Sequence, residues 1–139
     1  MTNVNKFRNH LQQIDLYMEE IKNENGGVFF RTRQSFENGG SVVVVAAFND
    51  TENILDLQVF NVANIANPLK KEAIHQLINN LNTDYRFSKF YEYEGKVTVQ
   101  YSYAINAENF EPSEAINNLI MLVETSEESY PKFMKIQWA

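Results

Sequence analysis

Apolar residues recur every three or four positions through the first stretch of the chain: Val4, Phe7, Leu11, Ile14, Met18 and Ile21. The spacing predicts an amphipathic helix over about residues 3–23, closed by Asn25-Gly26-Gly27. The pattern then shortens. Three strand-like runs follow: Val28 to Phe36, Ser41 to Phe48 and Ile54 to Val62. The turn ENGG and the loop NDTEN that join them are too short for anything but antiparallel neighbours. Helical spacing returns after Asn67-Pro68, where Asn suits the cap and Pro the first helical position. Leu69, Ala73, Ile74, Leu77, Ile78 and Leu81 give that helix one apolar side, ending near Asn82 to Asp84. Two strands follow, and Pro112 opens a third helix with Ile116, Leu119, Ile120 and Val123 on a stripe. Thr125 to Glu128 has capping-box spacing, but a helix begun there would carry Pro131 too deep. A new helix from Ser129, with Pro131 in its first turn, suits the last residues better. The order is α-βββ-α-ββ-α(α): a single α+β domain over residues 1–139 with five antiparallel strands, no linker and no repeat.

The last strand pair lies in DYRFSKFYEYEGKVTVQYSY, Asp84 to Tyr103. Phe87, Lys89, Tyr91 and Tyr93 alternate along its first half, and Val97, Val99, Tyr101, Tyr103 and Ile105 along its second. Cross-strand partners share a face, so odd positions should pair with odd. A three-residue loop, Tyr93-Glu94-Gly95, achieves this with Gly95 in a left-handed bulge. It sets Glu92 opposite Lys96, Tyr91 opposite Val97, Lys89 opposite Val99 and Phe87 opposite Tyr101. These aromatics read as one packed face of a hairpin. The alternative is a ligand pocket between sheet and helix, lined by the hydroxyls of Tyr91, Tyr101 and Tyr103.

The strand SVVVVAAF is apolar on both sides. Val42, Val44, Ala46 and Phe48 point one way; Val43, Val45 and Ala47 point the other. An antiparallel sheet with helices on one side usually keeps its other side polar. The second side here is covered either by a C-terminal helix or by another chain. An odd-length turn would set Phe29, Arg31 and Arg33 beside Val43 and Val45, an apolar patch with an arginine rim suited to protein recognition. A tight Asn38-Gly39 turn would set them beside Val44 and Ala46 instead.

Composition narrows the chemistry. The chain has 139 residues, 44% hydrophobic and 13% aromatic, enough for one packed core. Its formal net charge of −6 argues against nucleic acid as a partner. Cysteine is absent, which removes thiol catalysis and thiolate metal sites and fits a reducing compartment. The N-terminus lacks an apolar signal core, and no run approaches the roughly 20 residues of a membrane span. A cytoplasmic protein with no membrane partner is expected. His10 and His75 sit on different helices without metal-motif spacing. The acidic pairs, such as Glu19-Glu20 and Glu127-Glu128, lack an evident enclosure to separate their pKa values. The paired glycines open no helix, and Ser35, Ser41 and Ser102 form no nucleophile elbow. No catalytic residue, metal or cofactor is expected.

INNLNTDYRFSKFYEYEGKVTVQYSY, followed by EPSEAINNLIMLVETSEESYPKFMK, resembles the YbjN family of bacterial sensory-transduction regulators. The shared pattern runs from a helix ending in LN, through an aromatic strand and a central Gly turn, into KVTVQY and a helix with a late Tyr-Pro. It covers the C-terminal half; the N-terminal half agrees in element order. The resemblance implies a type III secretion chaperone-like fold, with a strongly bent antiparallel sheet and frequent dimerisation. It also implies a regulatory or protein-binding module, not a catalyst. The expected partners are a second copy, as a homodimer, or another protein.

Overall fold

The computed structural model describes residues 1–139. It contains α1 (Asn3–Gln13), β1 (Glu19–Lys22), β2 (Val28–Ser35), β3 (Ser41–Phe48) and β4 (Ile54–Asn64). A 3₁₀ turn (Pro68–Lys70), α2 (Lys71–Asp84), β5 (Lys89–Tyr93), β6 (Lys96–Ala104) and α3 (Pro112–Trp138) complete it. The strands form one antiparallel sheet in the order β1-β2-β3-β4-β6-β5. The α+β class and the central meander are as expected; the sheet has six strands, not five.

The sixth strand comes from the first expected helix. Thr2 caps α1, its hydroxyl accepting from the Asn5 N–H. Glu52 accepts a second free amide, that of Val4, at 2.7 Å. The helix stops at Gln13, because Asp15 turns left-handed at φ 55°. Leu16 N–H then bonds Leu11 C=O, and Asp15 N–H bonds Gln12 C=O. That is the closing pattern glycine usually provides; Asp is among the few other residues that tolerate it. The freed segment runs back as β1, where Glu20 holds Arg8 of α1 through two contacts of 2.7 Å. Ile14, counted toward the apolar stripe, stays 44% exposed, and Leu16 beyond the helix end 41%.

The C-terminal segment also differs. α3 is one continuous helix with Pro131 inside it, not two. An interior proline costs about 3 kcal/mol. Beyond it, Phe133 is fully buried with its ring 6.5 Å from that of Phe90. Burial of a side chain this large offsets most of that cost, at about 1.5–3 kcal/mol. Lys70 closes the far end, its ammonium donating to the carbonyls of Ile136, Gln137 and Ala139. At the start of α2, Asn67 caps as expected, accepting from Leu69 N–H. The 3₁₀ turn rotates Leu69 outward, however, and it is 92% exposed.

The β5–β6 register overturns the expected one. A two-residue turn, Glu94-Gly95, pairs Tyr93 with Lys96, Glu92 with Val97, Tyr91 with Thr98 and Phe90 with Val99. Both turn residues take positive φ, 52° and 83°, as this tight turn demands. A Cβ on Gly95 would lie 2.7 Å from Ile65 O. Phe90 therefore faces the core, where it is 2% exposed, and Tyr91 faces the other side. Phe87 precedes the strand, 58% exposed, with its ring 5.9 Å from Tyr101.

All three helices lie on one face. Phe7 of α1 meets Phe30 and Phe48 edge-on, at 5.0 and 5.6 Å. Ile74, Ile78 and Leu81 of α2 join Ile116, Leu119, Leu122 and Phe133 of α3 in the same cluster. Up to Val59 the members on β2, β3 and β4 alternate: Phe30, then Val42, Val44, Ala46 and Phe48, then Leu55, Leu57 and Val59. A bulge interrupts β4, where Phe60, Asn61 and Val62 together oppose Thr98 and Asn61 takes φ 65°.

Candidate functional site

The uncovered face is built by the residues between those core positions. Across the ladder, Arg33 pairs with Val43, Arg31 with Val45 and Phe29 with Ala47. On the other side, Val43 meets Phe60, Val45 meets Gln58 and Ala47 meets Asp56. The arrangement is the one expected from an odd-length turn, because Phe36 to Gly40 leaves five residues between the strands. Phe29, Arg31, Arg33, Val43 and Val45 thus share one surface. No C-terminal helix covers it. Val45 is buried, at 7%, yet is the one buried apolar side chain outside the core cluster. Its cover is its flanking neighbours, Arg31 and Gln58.

A depression of about 430 Å³ opens at this place, lined by Tyr17, Glu19, Arg31, Arg33 and Val43. Glu19 accepts from the Arg31 guanidinium at 3.0 Å, both side chains about half exposed. Such a pair holds little energy, on the order of 0–1 kcal/mol, and a partner can compete for it. Arg33 has no carboxylate within ion-pair distance. Tyr17, 79% exposed, went unnoticed in the sequence, and Glu19 was read only as half of an acidic pair, because helical spacing claimed their segment. The legible clue was Asp15, one of the few side chains that tolerate the left-handed turn which releases β1.

The three candidate pocket tyrosines are not brought together. Tyr101 and Tyr103 stack at 5.3 Å under α3, beside Leu57 and Leu55 of the covered face. Tyr91 lies on the open face, with Lys89 5.8 Å from its ring centre. The Tyr103 hydroxyl is buried beside Asn118 without a well-formed hydrogen bond, and burial raises its pKa. Sequence reading also missed a His75–Glu92 contact of 2.6 Å at the far edge. Glu92 accepts from Gly95 N–H as well, and this bond, then His75, lowers its pKa. The contact clamps the β5–β6 turn onto α2.

The fold and its exposed surface define a class: a small α+β protein with a one-sided antiparallel sheet. A family model matches residues 6–134, that of YbjN, described as "Putative bacterial sensory transduction regulator". The chain belongs to the YbjN family. The match extends the C-terminal resemblance across β1 to β4. No curated protein and no solved structure was found to match. No helix is long and apolar enough to cross a membrane.

Proposed function

We propose that this chain is a non-enzymatic regulatory module that docks an acidic segment of a partner protein on the open face of its sheet. One observation carries the reading: an apolar strip edged by an unpaired Arg33 and by Arg31, held only in an exposed pair with Glu19, stands on the bare side of a sheet whose helices all pack elsewhere. The strands present Arg31, Arg33, Lys89 and Lys96 on that face against Glu19 and Asp56. The basic side thus belongs to a chain of net charge −6. Pairing this face with its own copy would set arginine against arginine, which favours a different, acidic protein over a homodimer. Phe29, Val43 and Phe60 supply the desolvated centre and Arg31 and Arg33 the polar rim.

The test compares wild type with Arg33→Glu/Val43→Glu by affinity capture from native lysate, with solution mass measured alongside. A partner with an acidic segment should be retained by wild type and lost by the variant, while the thermal melt stays put. Retention of the same partner by the variant, or loss of its fold, would sink the reading.

A further inference from the structure

A second groove lies on the covered face, where the helices fail to meet. α1 ends at Gln13, and α3 begins its passage over the sheet further on. Between them, about 470 Å³ is lined by Ile14, Leu16 and Met18 on one wall and Ile116, Ile120 and Val123 on the other. That volume is within the range, on the order of 300–1,000 Å³, of pockets that take ligands or anchor side chains. The floor contains Thr32 and Gln34, so β2 turns polar where its cover stops. Ile14, Leu16 and Ile120 are 44%, 41% and 50% exposed. Three large apolar side chains left open around one groove are a patch, not scattered surface residues.

Two further features select the occupant. Ile116, Ile120, Val123 and Glu127 follow one another at intervals of four, three and four along α3. That interval is the seam along which one helix receives another, and it runs about 16 Å at 1.5 Å per residue. The charged residues in the lining are Glu124 and Glu127, with no lysine or arginine among them. Glu127 accepts from Glu37 N–H, and Glu124 has no ion-pair partner. We infer that this groove receives an amphipathic helix of a partner protein, its apolar side between Ile14 and Ile120 and its lysines or arginines against Glu124. A second copy is a poor occupant, because the apolar sides of its own helices, such as Val4, Phe7 and Leu11 of α1 and Ile74, Ile78 and Leu81 of α2, are already buried in its core. The groove and the open sheet face carry opposite charge and would engage different segments.

The probe is a fluorescently labelled designed helix with leucines at i, i+4, i+7 and i+11 and lysines beside them. Its twin carries glutamates in place of the lysines. The lysine peptide should bind saturably, gain helicity by circular dichroism and release with added salt. Ile120→Glu should weaken it by about tenfold or more, equivalent to 1.4 kcal/mol. Glu124→Lys should shift preference toward the glutamate twin. NMR shifts should fall on Ile14, Ile116 and Val123, and not on Val43 and Arg33; shifts on the sheet face would assign the helix there and overturn the proposal. Ile14→Asp, on the opposite wall, repeats the test if Ile120→Glu does not fold. Equal binding of the two peptides, indifference to both wall variants, or a salt-sensitive self-association dissolved by Ile120→Glu would each refute it.

Discussion

The two faces of the sheet are made by the same strands, often by adjacent and identical residues, yet they obey different rules. Val42 and Val44 lie in the core cluster under the helices; Val43 and Val45 stand on the side no helix reaches. On the covered face, cohesion comes from area removed from water and from rings in edge contact, as Phe7, Phe30, Phe48 and Phe110 show. On the open face, valines alternate with long polar side chains whose stems shelter them. The comparison teaches that apolar character is not itself a sign of core. What separates the faces is whether a helix arrives.

The sharpest break of this comparison comes from two substitutions on the covered side. Val42→Asp would place an unpaired carboxylate at a site 1% exposed and should cost more than about 4 kcal/mol. A urea melt should show no folded baseline. Phe48→Ala, which empties the centre of the phenylalanine cluster, should cost about 3–5 kcal/mol and leave a cooperative but early transition. If either variant melted like wild type, the face assignment would be wrong.

The sheet's β5 edge gives an intermediate case. Asn82 of α2 accepts from Phe90 N–H at 2.7 Å and donates to Phe90 C=O at 3.1 Å. One side chain thus occupies the edge groups that would otherwise invite another strand. Asn82→Ala should cost about 1–3 kcal/mol. Hydrogen exchange should show the Phe90 amide losing protection while the β3 amides keep theirs. Uniform loss across the sheet would mean that the edge and centre open together.

Much of this architecture was legible, and the failures have local causes. β2, β3 and β4 were readable because Val, Ile and Phe runs end in ENGG and NDTEN. The open-face group Phe29, Arg31, Arg33, Val43 and Val45 followed from one parity, that of the β2–β3 turn. β1 was not legible: Met18 and Ile21 fit helical spacing, and only Asp15's left-handed turn breaks it. The β5–β6 register failed because tyrosines were counted as core. A tyrosine tolerates either side, since its hydroxyl favours water; Phe90 does not, and it decided the face. Pro131 stopped no helix, because the burial of Phe133 lies beyond what local propensity records. The groove beside α3 depends on where α1 stops, so it was hidden with it.

A smaller effect comes from the one carboxylate placed on the covered face's side of β5. Glu92 pairs with Val97, its side chain 6% exposed, and bonds both Gly95 N–H and His75. Its folded pKa is lowered, first by the amide and then by His75. A lowered carboxylate pKa contributes stability above the unfolded value and loses it as pH falls through the folded one. Glu92→Gln should therefore cost about 1 kcal/mol near neutrality, and the gap should close as pH falls below about 4. Thermal melts across that range decide it; a gap that stayed constant would show that the charge does no stabilising work.

The smallest expected effect is the one that gives the open face its meaning. Val43→Glu replaces an apolar side chain by a charged one, next to the residue whose counterpart change should abolish folding. Val43 is half-buried by neighbours on its own sheet, between Arg33 and Phe60, and touches no helix-covered cluster. The new carboxylate can reach water and has Arg33 beside it. The stability change should stay within about 0.5 kcal/mol, read from the same urea melts. A cost near that of Val42→Asp would mean that Val43 is ordinary core and that the sheet has no free side. A neutral result beside an unfolded Val42→Asp would show that two adjacent valines serve different ends, one holding the domain together and the other facing whatever the domain binds.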